Sequence, residues 1–100
     1  MIIEFTTAAS MDISDIHAFL APKSEIGLEH VLSEIEQTVF AIPNSISKGR
    51  KTPRDDVFEK VTPKYGYVIP YYIRGNIIYI LRVYHSSRKD LDYKSIIKLD

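Results

Sequence analysis

Apolar residues recur along this chain in two rhythms, and the change from one to the other divides it. Ile2 to Phe5 reads as a short strand, with Thr6 and Thr7 as candidate caps for the helix that follows. From Ala8 to Leu20, Ala9, Ile13, Ile16 and Leu20 recur at helical spacing, and Asp12 and Asp15 fall to the solvent side. Ala21-Pro22-Lys23 breaks the pattern. Ser24 is a good N-cap, and Glu25 sets a negative charge against the positive helix end. A second helix then runs to about Ala41. Its stripe is Leu28, Val31, Leu32, Ile35 and Val39, with Glu29, His30, Glu34 and Gln37 facing water. Two amphipathic helices on a short link, spanning about 8–41, predict an antiparallel hairpin that needs a floor under both stripes.

The second rhythm begins after a loop. Pro43, Asn44, Gly49 and Pro53 supply turn chemistry, and Lys48, Arg50, Lys51 and Arg54 make the same stretch basic. Val57 to Thr62 predicts a strand, and Pro63 to Gly66 a turn. Tyr67 to Ile73 and Ile77 to Tyr84 are rich in β-branched and aromatic residues, and Gly75-Asn76 between them signals a tight hairpin. Both faces of this ribbon are apolar, so it should be central, with helices on one face and a cover on the other. Pro70 cannot donate to a ladder and predicts a bulge or an edge. Beyond Tyr84 the chain turns polar, and residues 89–100 read as a tail, with Ser95 to Leu99 as a last short strand or helical turn. The order is strand, two helices, then a three- to four-stranded antiparallel meander over about 57–84. That is an α+β fold, a two-layer sandwich in one domain of 1–100.

Composition narrows the function. The chain has no cysteine, which removes disulfides and thiolate metal sites. No apolar run approaches the ~20 residues of a membrane span, and the amino terminus lacks a signal pattern, so a cytoplasmic protein is expected. The net charge of +0 hides an asymmetry. Residues 1–45 hold one base (Lys23) against seven acids, and residues 46–100 hold twelve bases against six. The first half is therefore acidic and the second basic, as for solvation of two surfaces or for attraction of an acidic partner.

A resemblance emerges at the end of the ribbon. The helical hairpin leads to Gly49-Arg50, then to a segment of alternating Tyr and Ile ending in Gly75-Asn76. The run Ile80-Leu81-Arg82-Val83-Tyr84-His85-Ser86-Ser87-Arg88-Lys89-Asp90-Leu91 follows. This resembles the ParE branch of the RelE/ParE toxin superfamily from about Phe5 to Leu91. The branch ends its last main strand with Ile-Leu-Arg-Val-Leu-His, two small residues and Arg-Asp. Here Tyr84 replaces the leucine and Lys89 is inserted. The resemblance implies the fold already read and a cognate antitoxin that wraps and silences the toxin in a hetero-oligomer. It also implies inhibition of DNA gyrase by binding. The sister RelE branch, which cuts messenger RNA on the ribosome, supplies the alternative.

Cutting RNA through its 2′-hydroxyl needs a base, cations for the phosphate and an acid for the leaving oxygen. His85 and Arg88 are the candidates if the chain is a nuclease, and Tyr93 is a candidate for the tyrosine that RelE-type nucleases often use. A single histidine beside a strand end is more often structural. His17 and His30 have no triad partners, and no metal or cofactor motif is present. Seven tyrosines suggest base stacking, but alternation divides those of the hairpin between two faces. The expected target-binding surface is Arg82, His85, Arg88 and Lys89, with Lys60 and Lys64 behind. The expected antitoxin groove is lined by Ile16, Leu20, Leu28, Val31 and Ile35.

Overall fold

The computed structural model describes residues 1–45, 48–88 and 91–99. Strand β1 (Ile2–Phe5) leads into α1 (Thr7–Leu20) and α2 (Glu25–Phe40). A 3-10 turn (Ile42–Asn44) follows, then β2 (Arg50–Lys51), β3 (Phe58–Val61), β4 (Tyr67–Arg74), β5 (Ile77–Ile80) and β6 (Tyr84–His85). The sheet order is β1-β5-β4-β3-β2, with β6 also on β4. The meander is antiparallel as expected, but β1 joins it parallel to β5, Ile2 opposite Ile77 and Phe5 opposite Ile80. The sheet is therefore mixed.

Each helix starts where a hydroxyl meets a free backbone N–H. Thr6 Oγ1 accepts from Ala9 N at 3.2 Å, and Ser24 Oγ from Gly27 N at 2.9 Å. Thr6 is buried and has a second task, donating to the Leu81 carbonyl at 3.1 Å. The helical stripe packs Ala9, Ile16, Leu28, Val31, Ile35 and Val39 onto Ile69, Tyr71, Ile78 and Ile80 of the sheet. Gly75 turns the β4–β5 hairpin at φ 60°.

The other face of the sheet has its own core. Val57, Leu81 and Ile96 are buried there, with Tyr72, Tyr79, Leu91, Tyr93, Ile97 and Leu99 packed around them. The carboxy-terminal stretch expected to be a polar tail is thus the cover that the two-sided ribbon demanded. It forms neither a strand nor a helix over 95–99. Tyr93 ties it down by donating to Glu59 at 2.6 Å, and Glu59 also accepts from Arg50. The tyrosines divide as alternation required, Tyr65, Tyr67 and Tyr71 towards the helices and Tyr72 and Tyr79 away from them.

Glu34 does not face open water as its place on α2 suggested. Its two carboxylate oxygens accept from the backbone N–H groups of Lys64 and Tyr65, both at 2.9 Å, and so clamp the β3–β4 turn to α2. Desolvation alone would raise this carboxyl. The backbone donors of Tyr65 and Lys64 outweigh it, with help from the charge of Lys64, and hold the group below the ordinary carboxylate range.

Gly49 explains the Gly-Arg pair. Its N–H donates to the Tyr71 hydroxyl at 2.7 Å, and a Cβ at this position would run into the backbone carbonyl of Glu59. Gly49→Ala should therefore cost about 2 kcal/mol, a fall in Tm of roughly 10 °C in a melt followed by circular dichroism. The Glu34 clamp predicts a pH effect of definite sign. A depressed folded-state pKa stabilises fully above the unfolded value of about 4.3 and ceases to do so as pH falls through the lower folded value. Urea unfolding should thus find the native chain more stable than Glu34→Gln at neutral pH. The gap should close as the pH is taken below that of an ordinary carboxylate.

Candidate functional site

Between β5 and β6 the ladder slips by one residue. Tyr71 pairs with Ile80 and Val68 with Tyr84, so Ile69 and Pro70 on β4 face Leu81, Arg82 and Val83. This is a β-bulge, one of the two outcomes that Pro70 predicted. Residues 77–84, expected as one strand, are broken at 81–83. The consequence is a reversal of phase. Ile80 and Val83 both point into the helix-side core, where unbroken alternation would have paired Ile80 with Arg82 and Tyr84. His85, opposite Tyr67, is thereby delivered to the helix side, its ring edge-on to Tyr67 at 5.3 Å between centroids.

A bulge leaves backbone groups without ladder partners, and three of those here are met by other means. Leu81 N–H donates to the Pro70 carbonyl at 2.9 Å, and the Leu81 carbonyl takes the Thr6 hydroxyl. Val83 N–H donates to Asp12 Oδ2 at 2.9 Å. The same carboxylate grips the Arg82 guanidinium in a two-pronged pair, 2.7 Å to Nε and 2.9 Å to Nη2. Asp12, expected at the surface, is only 7% exposed. The hydrogen bonds that Arg82 donates to Asp12 raise the pKa of Arg82 further, against the opposing effect of desolvation. The helical spacing held the signal: Asp12 is three residues after Ala9 and four before Ile16, on the apolar stripe itself.

A cleft of about 670 Å³ opens where α1 meets β6. Asp12, Asp15, Ile16, Phe19 and Leu20 form one wall, Tyr65, Tyr67, Val83, Tyr84 and His85 the other, and Ser87 and Arg88 the rim. His85 Nδ1 lies 2.7 Å from Ser87 Oγ and accepts from Ser87 N at 3.2 Å. That N–H assigns the ring proton to Nε2. His85 and Arg88 therefore share one mouth; Arg82 does not line it but pairs with Asp12, which does. Lys60 and Lys64 do not line it. Lys60 is on β3 opposite Ile69, and Lys64 lies in the β3–β4 turn with its ammonium 5.3 Å from the Tyr65 ring centroid. Lys89 lies outside the described residues.

Tyr93, the candidate nuclease tyrosine, is on the far face of the sheet. Burial, then the hydrogen bond to Glu59 and the contact with Tyr84, push its pKa far above that of an ordinary phenol. Among the described residues no group of His, Asp or Glu has the arrangement to hold a metal ion.

The expected antitoxin-groove residues are divided. Ile16, Leu20 and Val31 reach the floor of the cleft. Leu28 and Ile35 are buried in the core, because the helical stripes close onto the sheet before any partner arrives. Ile35 also borders a second, more apolar groove of about 630 Å³, formed by Phe5, Ser10, Ile13, Leu32, Glu36 and Phe40. Phe5 and Phe40 stand exposed on it beside the free edge of β1.

The fold is that of a toxin–antitoxin component. A solved structure described as the chromosomal ParDE TA system from P. aeruginosa superposes with a TM-score of 0.70 at 22% sequence identity. The match covers 85% of this chain and 95% of that one. A family model, the ParE toxin of the type II toxin–antitoxin system parDE, matches residues 3–90. The chain belongs to the ParE toxin family, and membership implies an antitoxin partner. No curated protein matches it. No helix among the described residues is long and apolar enough to cross a membrane.

The Asp12–Arg82 pair is the joint of this site. Asp12→Asn should lower stability by about 2 kcal/mol, as expected for loss of a charged hydrogen-bond acceptor. A double-mutant cycle with Arg82→Met in urea should return a coupling of roughly 1–2 kcal/mol. Additive losses would mean that the pair carries no mutual stabilisation.

Proposed function

We propose that this chain acts in the cytoplasm as a toxin that inhibits DNA gyrase by binding, and that its antitoxin silences it by occupying the apolar grooves. Three features support binding over RNA cleavage. The cleft is walled mainly by apolar and aromatic side chains, with His85 and Arg88 at its mouth. His85 Nδ1 is engaged by Ser87. The observation that carries the choice is the commitment of Tyr93. A nuclease of the RelE type needs groups free to move protons beside the phosphate, and Tyr93 donates to Glu59 on the opposite face of the sheet.

In this reading Arg88 and His85 are the hydrogen-bonding rim, and Phe19, 64% exposed at the same mouth, is the apolar anchor. Arg82 acts from behind by fixing the bulge that presents them. The antitoxin fits the second groove, where Phe5 and Phe40 are uncovered and the β1 edge offers backbone groups to an added strand.

Purified toxin added to gyrase and relaxed plasmid should block supercoiling and raise cleaved DNA. Arg88→Ala and Phe19→Ala should each weaken inhibition by roughly ten-fold or more, about 1.4 kcal/mol of binding. Full supercoiling at saturating toxin, together with rapid transcript cleavage in cells that express it, would remove gyrase as the target and favour the ribosome.

A further inference from the structure

We propose that the outer edge of the sheet, β2 and β3, is a contact surface for the phosphate backbone of duplex DNA, carried by Lys48, Lys51 and Lys60. Lys51 stands opposite Phe58, and Lys60 opposite Ile69. Phe58 and Ile69 both pack in the helix-side core, so the two lysines emerge on that face at its open margin. Lys48 reaches the same place, its Nζ 4.9 Å from the Phe58 ring centroid. Lys48 and Lys51 are exposed and Lys60 half-buried.

The backbone under these ammonium groups is held firmly. Gly49, between Lys48 and the first residue of β2, donates to the Tyr71 hydroxyl and lies against the Glu59 carbonyl too closely to admit a Cβ. Among the described residues none of the three ammonium groups is in an ion pair. The three ion pairs found there use arginines, Arg50 with Glu59, Arg54 with Asp56 and Arg82 with Asp12. No cleft function absorbs the basic stretch that begins at Lys48.

The character of the patch favours a polyanion over a protein. Protein interfaces are built round an apolar or aromatic centre and are poor in lysine. Here Phe58 is half-buried and covered by Lys48, and the exposed large apolar residues lie on β1, the helices and the β4–β5 hairpin end. Point charges on flexible stems and a firm backbone suit phosphates, which are contacted without reading sequence. The choice of duplex DNA rests on the gyrase reading, since the toxin would then meet an enzyme already holding a duplex.

The test is fluorescence anisotropy of a labelled duplex titrated with purified toxin, without gyrase. Three phosphate contacts predict a slope of about −3 for log K against log salt, roughly forty-fold weaker binding at about 200 than at about 50 mM. The variant carrying Lys48→Gln, Lys51→Gln and Lys60→Gln should bind roughly ten-fold or more weakly, with a slope near zero. Its melting curve should match that of the native chain, which separates lost contacts from lost fold. Arg88→Ala should bind the duplex normally.

Salt-independent binding, or equal binding by the triple variant, overturns the proposal and leaves the lysines as guards of a sheet edge. So does a triple variant that keeps the duplex but loses polyglutamate, which would make the patch a site for an acidic protein. If the duplex binds as expected and gyrase is not inhibited, the gyrase reading falls and the surface stands. If gyrase is inhibited and the duplex does not bind, the reverse holds.

Discussion

One carboxylate holds the two layers of this protein in register. Asp12 on α1 reaches residues 70 and 71 positions later in the chain, gripping the Arg82 side chain and the Val83 backbone. A β-bulge is costly when its freed N–H groups are buried without partners. Asp12 on α1 and Thr6, its N-cap, supply what the ladder cannot. The bulge is thus stable only because α1 lies where it does, and α1 is fixed there partly by the bulge. The phase reversal that follows sends the His85 ring to the cleft and the Tyr84 hydroxyl to Tyr93 on the far face. The site is a product of this joint more than of the residues that line it.

The far face has a comparable device. Glu59 is 9% exposed, and it accepts from Arg50 on one side and Tyr93 on the other. A buried carboxylate without such donors would be strongly unfavourable. With them, it links edge strand β2 to the carboxy-terminal segment. Tyr84 touches Tyr93 at 3.3 Å, so the segment is in contact with the strand that bears the cleft.

The helices were legible in the sequence because caps and stripe agree there. Thr6 and Ser24 sit where free N–H groups begin, and the apolar residues hold one face. The hairpin was legible from Gly75, whose positive φ the turn requires. The bulge was only half legible. Pro70 marked the place, but nothing local says that Arg82 is the extra residue or that His85 changes face. The parallel pairing of β1 was not legible, since it depends on which edge remains free after the meander forms. The packed carboxy-terminal segment was missed because its apolar residues, Leu91, Tyr93, Ile96 and Leu99, are interspersed with Asp and Lys and keep neither period. Asp12 lies on the apolar stripe of α1, where its charge suggested water, and Glu34 lies beside the stripe of α2; each is held by N–H donors from the far side of the layer. Of the candidate site, His85 and Arg88 come together at one mouth, Arg82 lies behind it, and Lys60 and Lys64 belong elsewhere.

The pairing of the first strand with the fifth has a consequence for how the molecule comes into being. Thr6 finds its carbonyl partner 75 residues downstream, so the amino-terminal end waits for almost the whole chain before its contacts can close. During synthesis the acidic helices emerge long before the strands that floor them. A polypeptide released early would carry a hairpin with no sheet beneath it and only one wall of the cleft. A chain ending before residue 82 would leave Asp12 without Arg82 and Val83, and the cleft without the wall that His85 provides.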